Sequence, residues 1–305
     1  MTRAALYDTT GGPDVLYVGD VADTDELPAG KVAVRVHAAG LNPFDGKVRS
    51  GFIPSQAAFP RRIGGDLAGT VDAVGDGAVY WDGTAIEVGD EVAGRGNGAV
   101  AERVVASAAE LTRRPAEVPV EVAGGLWVAG LTAVSCVVTV TVGAGDTVLI
   151  GGATGGVGLV AAQLAVAAGA RVIGTASERN HDLLRSLGVE PVAYGAGLAD
   201  RLASLGPVTA VIDTHGREAL DAGVAFGVPG DRMVAIAAYG AYEETGAHEA
   251  ERAARTAANL ADLLDRIATG QLTFPVAATY PLEDVAAAFA ALEGSHAPGK
   301  IVVTP

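Results

Sequence analysis

Cysteine is almost absent from this chain: Cys136 is the only one in 305 residues. One thiol cannot form an internal disulfide or a cysteine-rich zinc site. Set in an apolar run, Cys136 reads as a small core residue. Lysine is confined to Lys31, Lys47 and Lys300, and arginine supplies the rest of the 21 basic residues. Against 36 acidic residues this leaves a net charge of −15 and a pI of about 4.7. Such a balance argues against nucleic acid or an anionic membrane as the main partner. The five histidines, His37, His181, His215, His248 and His296, show no metal-site spacing. Long hydrophobic runs are missing too. Residues 133–142 form the longest, too short and too rich in Thr and Ser to span a bilayer. No charged-then-apolar signal segment opens the sequence as given. There is no internal repeat and no linker of disordered composition. With half of its residues apolar, the chain has material for a large core and two domains of ordinary size. A soluble, cytoplasmic protein is the expectation.

What is present changes character along the chain. Residues 1–110 are dense in Gly, Pro and Asp, with short alternating runs between: 31–37 (KVAVRVH), 67–74 (LAGTVDAV) and 99–105 (AVAERVV). Many short strands separated by turns suggest an antiparallel barrel or sandwich. Residues 121–141 are apolar and partly helical in pattern. From Thr147, strands at 147–151, 171–175, 191–194, 208–213 and 232–237 alternate with helices, the signature of a parallel, doubly wound sheet. A helix is expected over 253–268. The final stretch, 274–303, returns to strands around one short helix at 282–292. The fold class is therefore α/β plus mainly β. One domain spans 123–271, and the other combines 1–122 with 272–305.

Residues 147–158 (TVLIGGATGGVG) carry the most information. A run of β-formers feeds a glycine cluster, and a helical pattern follows. This is the context of a dinucleotide loop, with a tight turn, close backbone approach and helix N–H groups aimed at phosphate charge. Thr154, Gly155, Gly156 and Val157 are the candidates to hold the pyrophosphate. Alanine (Ala153) stands at the first glycine position of the motif, and a plain glycine-rich turn is the alternative.

The order of motifs resembles the zinc-independent quinone oxidoreductase (zeta-crystallin-like) branch of the medium-chain dehydrogenase/reductase superfamily. The resemblance covers nearly the whole chain. It rests on GGPDVL at 11–16, AGLNPFDGKVR at 39–49, GGDLAGTV at 64–71, VGDEV at 88–92, GAVAE at 98–102, GLTA at 130–133 and GKIV at 299–302. Val100 replaces the tyrosine usual in the fifth of these. The resemblance implies a GroES-like catalytic domain beside a Rossmann domain. Where the zinc-dependent branch has a ligand cysteine this chain has Asn42, and Gly65 stands at its ligand histidine. The four-cysteine structural lobe is absent, so no metal is expected. Short-chain reductases are disfavoured by the lack of a Tyr-x-x-x-Lys pair and by the mid-chain position of the glycine loop.

The implied activity is NADPH-dependent hydride transfer to quinones or other α,β-unsaturated carbonyls. Without a metal, a conjugated acceptor is favoured because its developing charge delocalises. Asn42 offers an amide donor to a carbonyl or a ribose hydroxyl, or else is a turn residue before Pro43. Asp45 and Lys47, two apart on an irregular loop, are expected by resemblance to hold the nicotinamide ribose, the alternative being a solvated ion pair. Thr132 resembles the family threonine at the nicotinamide, or else bonds back along its own helix. Ser177 and Arg179, past the end of the second strand, suit a 2′-phosphate. Glu178 suits a 2′-hydroxyl, but it lies beyond the strand and beside Arg179, so NADPH is favoured over NADH. The alternative for all three is a capped, solvated helix start. Asp213 and His215 follow the next strand end, where crevice residues gather, although His215 also reads as a turn residue. Tyr194 is a candidate beside the adenine. Ile236 and Tyr239 close a further strand, and Lys300 completes the cofactor set. A small-molecule substrate and a homodimer are the expected partners. An enoyl-thioester reductase and a non-catalytic NADPH-binding structural or sensor protein are the competing readings.

Overall fold

The computed structural model describes residues 1–23, 26–294 and 298–305; His296 lies outside them. Seven strands come first: β1 (Thr2–Tyr7), β2 (Tyr17–Val21), β3 (Lys31–Gly40), β4 (Arg61–Arg62), β5 (Asp66–Val74), β6 (Glu91–Gly96) and β7 (Arg103–Arg113). Then follow β8 (Thr147–Gly151), β9 (Arg171–Ala176), β10 (Glu190–Ala193), β11 (Ala210–Asp213), β12 (Met233–Ala235) and β13 (His248–Glu249), and last β14 (Val276–Pro281) and β15 (Lys300–Thr304). The described residues divide into two compact units, 1–128 with 256–294 and 300–305, and 129–255 with 298–299.

In the first unit β3 pairs antiparallel with both β5 and β7, β5 with β6, and β6 with β7, so four strands close on themselves. Closure removes the free edges that an open sheet exposes. β15 lies antiparallel against β3, and β14 runs parallel to β15. Val32, Val34 and Val36 of β3 pack with Leu67, Val71, Val92, Val104 and Leu111, and with Leu282 and Phe289 beyond the barrel. The strand expected at 99–105 begins only at Arg103. Before it, Gly98 sits at φ +73°, and the Ala99 N–H bonds back to the Gly64 carbonyl, so the chain turns instead of extending.

The unit boundaries lie at 128/129 and 255/256, whereas the change in pattern suggested 122/123 and 271/272. The difference comes mainly from the Ala257–Ala268 helix. Its periodicity resembles a crossover helix of the nucleotide domain. Its buried leucines, Leu260, Leu263 and Leu264, belong to the unit of β7, against which the helix packs.

In the second unit all six strands are parallel, in the order β10-β9-β8-β11-β12-β13. This is the doubly wound Rossmann order, with its switch point between β9–β8 and β11. β13 is only two residues long and carried no period-2 signal. No helix among the described residues is long and apolar enough to cross a membrane.

Candidate functional site

In the second unit, β8 ends at Gly151 and the Gly156–Ala167 helix starts five residues later. A Cβ at Gly158 would lie 2.2 Å from the Gly152 carbonyl oxygen, so the turn closes only with glycine there. The loop is pinned to the end of β9. Gly152 N–H donates to Thr175 Oγ1 at 2.9 Å, and Ala153 N–H to the Thr175 carbonyl at 3.0 Å. Gly155 and Gly156 differ from Gly158. A Cβ at Gly155 would meet only the Gly152 carbonyl oxygen, at 3.5 Å, and one at Gly156 would make ordinary contact with Ala129 at 3.4 Å. Packing within the protein therefore does not demand glycine at either position. The open side lies at the start of a helix, where the N–H groups of Gly156, Val157 and Gly158 have no intrahelical acceptor. Gly156 itself lies against Gly299 across the parallel Gly155–Gly299 bridge. The bare backbone, the N–H groups of Val157 and Gly158 and the positive helix end together fit a pyrophosphate.

Beyond β9, Ser177 precedes the short helical turn Glu178–Asn180 but makes no cap bond to it. Its Oγ is buried and has no hydrogen-bond partner among the described residues. A buried hydroxyl left unpaired is costly, so the capping alternative loses its basis and an external acceptor or donor fits better. Glu178 and Arg179 are exposed beside it. Asp213, at the end of β11, is 1% exposed and accepts from the Gly216 N–H at 3.3 Å. Burial pushes its carboxyl up to about 7. His215, Tyr194 and Tyr239 are exposed, and Ile236 is half-buried. Thr154 gives its carbonyl to the Gly299 N–H at 3.2 Å. Thr132 is buried on the Leu126–Thr139 helix. Ser135 and Thr139 bond back to carbonyls one turn earlier, and Thr132 makes no such bond among the described residues. Cys136 is fully buried, which raises its thiol to about 12 and leaves it inert core.

In the first unit, the stretch expected to be an irregular loop is a helix, Pro43–Ser50. Pro43 at its first position and the Asp45 carboxylate, which accepts the Asn42 N–H at 2.9 Å, start it as half of a capping box. The helical form changes the reading of Asp45 and Lys47. Residues two apart on a helix project roughly 200° from each other, so the two do not share a face. Asp45 turns towards a buried cluster. Asp66, at the start of β5, is 0% exposed and Lys300, at the start of β15, is 5% exposed. Lys300 Nζ lies 2.5 Å from Asn42 Oδ1 and 3.3 Å from Asp66 Oδ2. Asp66 Oδ1 accepts the Val128 N–H at 3.2 Å. Burial raises the Asp66 carboxyl against the pull of Lys300. It also raises Asp45, to about 7, helped by the Asp66 charge. Lys300, expected among the cofactor contacts, thus directs its ammonium to Asn42 and Asp66. In the sequence Asp66 stands out only as part of the GGDLAGTV stretch at 64–71. The available signal was a carboxylate directly before the apolar stretch 67–69 at the start of a strand. Among the described residues, no group of three or more His, Cys, Asp or Glu side chains is placed to hold a metal ion.

Residues 28–116 match the model of the alcohol dehydrogenase GroES-like domain, and residues 187–303 match that described as zinc-binding dehydrogenase. The solved quinone oxidoreductase of Pseudomonas syringae pv. Tomato DC3000 superposes with a TM-score of 0.86 at 30% identity, covering 100% of both chains. The chain belongs to the quinone oxidoreductase family. That family lies within the medium-chain dehydrogenase/reductase superfamily, and the closed barrel and Rossmann sheet are its two folds. Escherichia coli quinone oxidoreductase, solved in complex with NADPH, gives a TM-score of 0.84 at 26% identity over 100% of both chains. Human quinone oxidoreductase is 34% identical over 183 residues, 58% of this chain and 53% of the human protein. The aligned part thus spans about half the length of the curated quinone oxidoreductases. A polyketide synthase system protein of Streptomyces orinoci, NorB, is 32% identical over 296 residues, 91% of this chain and 13% of that protein.

Proposed function

We propose that the chain is an NADPH-dependent, zinc-independent oxidoreductase whose hydride acceptors are quinones or other α,β-unsaturated carbonyls. The observation that carries this is the glycine loop, open at Gly155 and Gly156 although packing would admit a side chain at either, in a member of the quinone oxidoreductase family. The nicotinamide, when bound, supplies the hydride, and the protein supplies position and electrostatics.

The loop at 154–157 binds the pyrophosphate at the helix start, Gly155 and Gly156 by close backbone approach and Val157 through its N–H; the Gly155 N–H itself closes the turn on the Gly152 carbonyl. Ser177 and Arg179 hold the 2′-phosphate. Asn42 donates from its amide to the acceptor oxygen, steadying the negative charge that develops there. Lys47 and Thr132 position the nicotinamide end, to which Asp45 contributes through the Asn42 N–H that it holds, while Tyr194, Asp213, His215, Ile236 and Tyr239 line the rest of the cofactor. Solvent provides the proton. Zinc independence is supported by Asn42 itself. It stands at a family metal-ligand position, and its oxygen is already engaged by the Lys300 ammonium, whose charge opposes a cation. The same reading includes a homodimer, a cytoplasmic location and a small-molecule partner. The net charge of −15 supports the absence of nucleic-acid and membrane partners.

A second reading, an enoyl-thioester reductase, is supported by the alignment with the polyketide synthase protein over 91% of this chain. The strong negative charge is unfavourable to a phosphopantetheine arm. NADPH and NADH oxidation followed side by side against simple quinones, enones and an enoyl thioester separates the two. Turnover of quinones with NADPH preferred is expected. Turnover of the thioester alone selects the second reading, and cofactor binding without any turnover points to a non-catalytic sensor.

A further inference from the structure

We propose that Asp66 is a positioning residue: through the Lys300 ammonium it fixes the side-chain amide of Asn42 in the one orientation that keeps its oxygen on the ammonium and its NH2 group as the donor. The inference rests on the proposed role of Asn42 at the acceptor oxygen.

An ammonium has only donors, so the Asn42 atom 2.5 Å from Lys300 Nζ must be the oxygen. Nδ2 then faces the Gly40 carbonyl, 3.5 Å away at the outer limit of a hydrogen bond, and the Asp45 and Asp66 carboxylates, both of which its N–H groups help to keep charged. Turning the amide over would set NH2 against NH3⁺ in a buried place, two donors with no acceptor between them. The orientation is therefore dictated by where Lys300 stands.

Lys300 has little choice of path. A Cβ at Gly125 would lie 2.7 Å from its Cγ, and a Cβ at Gly40 would lie 2.9 Å from its Cε, so the stem runs through space that both glycines leave open. At its end stands Asp66. Asp66 Oδ2 is 3.3 Å from Nζ, but its alignment does not make a hydrogen bond. The ammonium has three N–H donors, so the carboxylate attracts it without displacing the hydrogen bond that Asn42 Oδ1 accepts. Asp66 is itself fixed by the Val128 N–H. Asp45 secures the Asn42 backbone N–H at 2.9 Å, so Asn42 is held at both ends.

The test uses the full chain carrying Asp66→Asn or Lys300→Met, each alone and in an Asn42→Ala background. Quinone reduction, NADPH affinity by fluorescence titration, and the Asn42 side-chain NH2 resonances by NMR are the readouts. Lys300→Met leaves a carboxyl that can protonate, so it covers the case in which Asp66→Asn fails to fold. Each single variant is expected to lower kcat by about tenfold or more. The NADPH Kd of Asp66→Asn stays within about twofold of the parent, and neither change lowers kcat further once Asn42 is alanine. Equal losses in both backgrounds would show a merely structural role and overturn the inference. If the parent protein turns over no quinone, the functional reading fails, and the NMR readout still decides the orientation. NH2 signals that shift in both variants support it, and signals unmoved in both overturn it.

Discussion

Lys300 Nζ stands 3.3 Å from Asp66 Oδ2, both side chains shut away from solvent, at the starts of two strands that flank β3. Removing one partner of a buried pair leaves the other charge uncompensated, which typically costs about 3–5 kcal/mol. Asp66→Asn, which leaves a buried ammonium, is expected to lower the denaturant midpoint strongly, and Lys300→Met less, because the remaining carboxyl can protonate. The double variant should lie closer to the parent than the sum of the two. Strictly additive losses would mean that the pair is not coupled.

Gly156→Asp separates binding from folding. The protein has room for a Cβ there, and a carboxylate in the first turn of a helix is favourable to the helix. The same charge repels a pyrophosphate. Thermal unfolding should be unchanged or slightly raised while NADPH affinity falls at least about a hundredfold, roughly 2.7 kcal/mol. Retained affinity would remove the loop from the phosphate site.

Ser177→Ala and Arg179→Ala address the choice of cofactor. Ser177 Oγ is buried without a partner, so its removal should not destabilise the free protein. Each variant should weaken NADPH by about tenfold to a hundredfold, the worth of a charged hydrogen bond, with little change for NADH. Equal effects on the two cofactors, measured by titration, would place both residues away from the 2′-phosphate.

Stability should also depend on pH in a defined window. Asp213 and Asp45 each titrate at about 7 in the fold, against about 3.9 in an unfolded chain. A raised carboxyl favours the folded state while it is protonated. Its contribution is complete below about pH 4 and is lost as pH rises through about 7. The urea midpoint should therefore fall between pH 4 and 7, and Asp213→Asn should flatten that slope. An unchanged slope in Asp213→Asn would contradict the assignment.

The nucleotide fold was legible because its signals are local. Hydrophobic runs, a glycine turn and helical periodicity at 147–168 follow from dihedral preferences that a sequence carries directly. The strand–glycine–helix geometry of the loop was legible for the same reason. The Pro43–Ser50 helix could also have been found, since Asn42, Pro43 and Asp45 spell its start, but two turns with a glycine in the middle are too short to show a period.

Other features depended on residues far apart in the chain. The sequence by itself determined the strand–glycine–helix unit, the acidic surface and the lack of a cysteine metal site, since composition and nearest-neighbour geometry suffice for each. Only the tertiary structure decided that Ala257–Ala268 packs on β7. It alone gathered Asn42, Asp66 and Lys300 into one buried cluster, because burial and charge pairing across more than two hundred residues are set by how strands align, not by any local pattern.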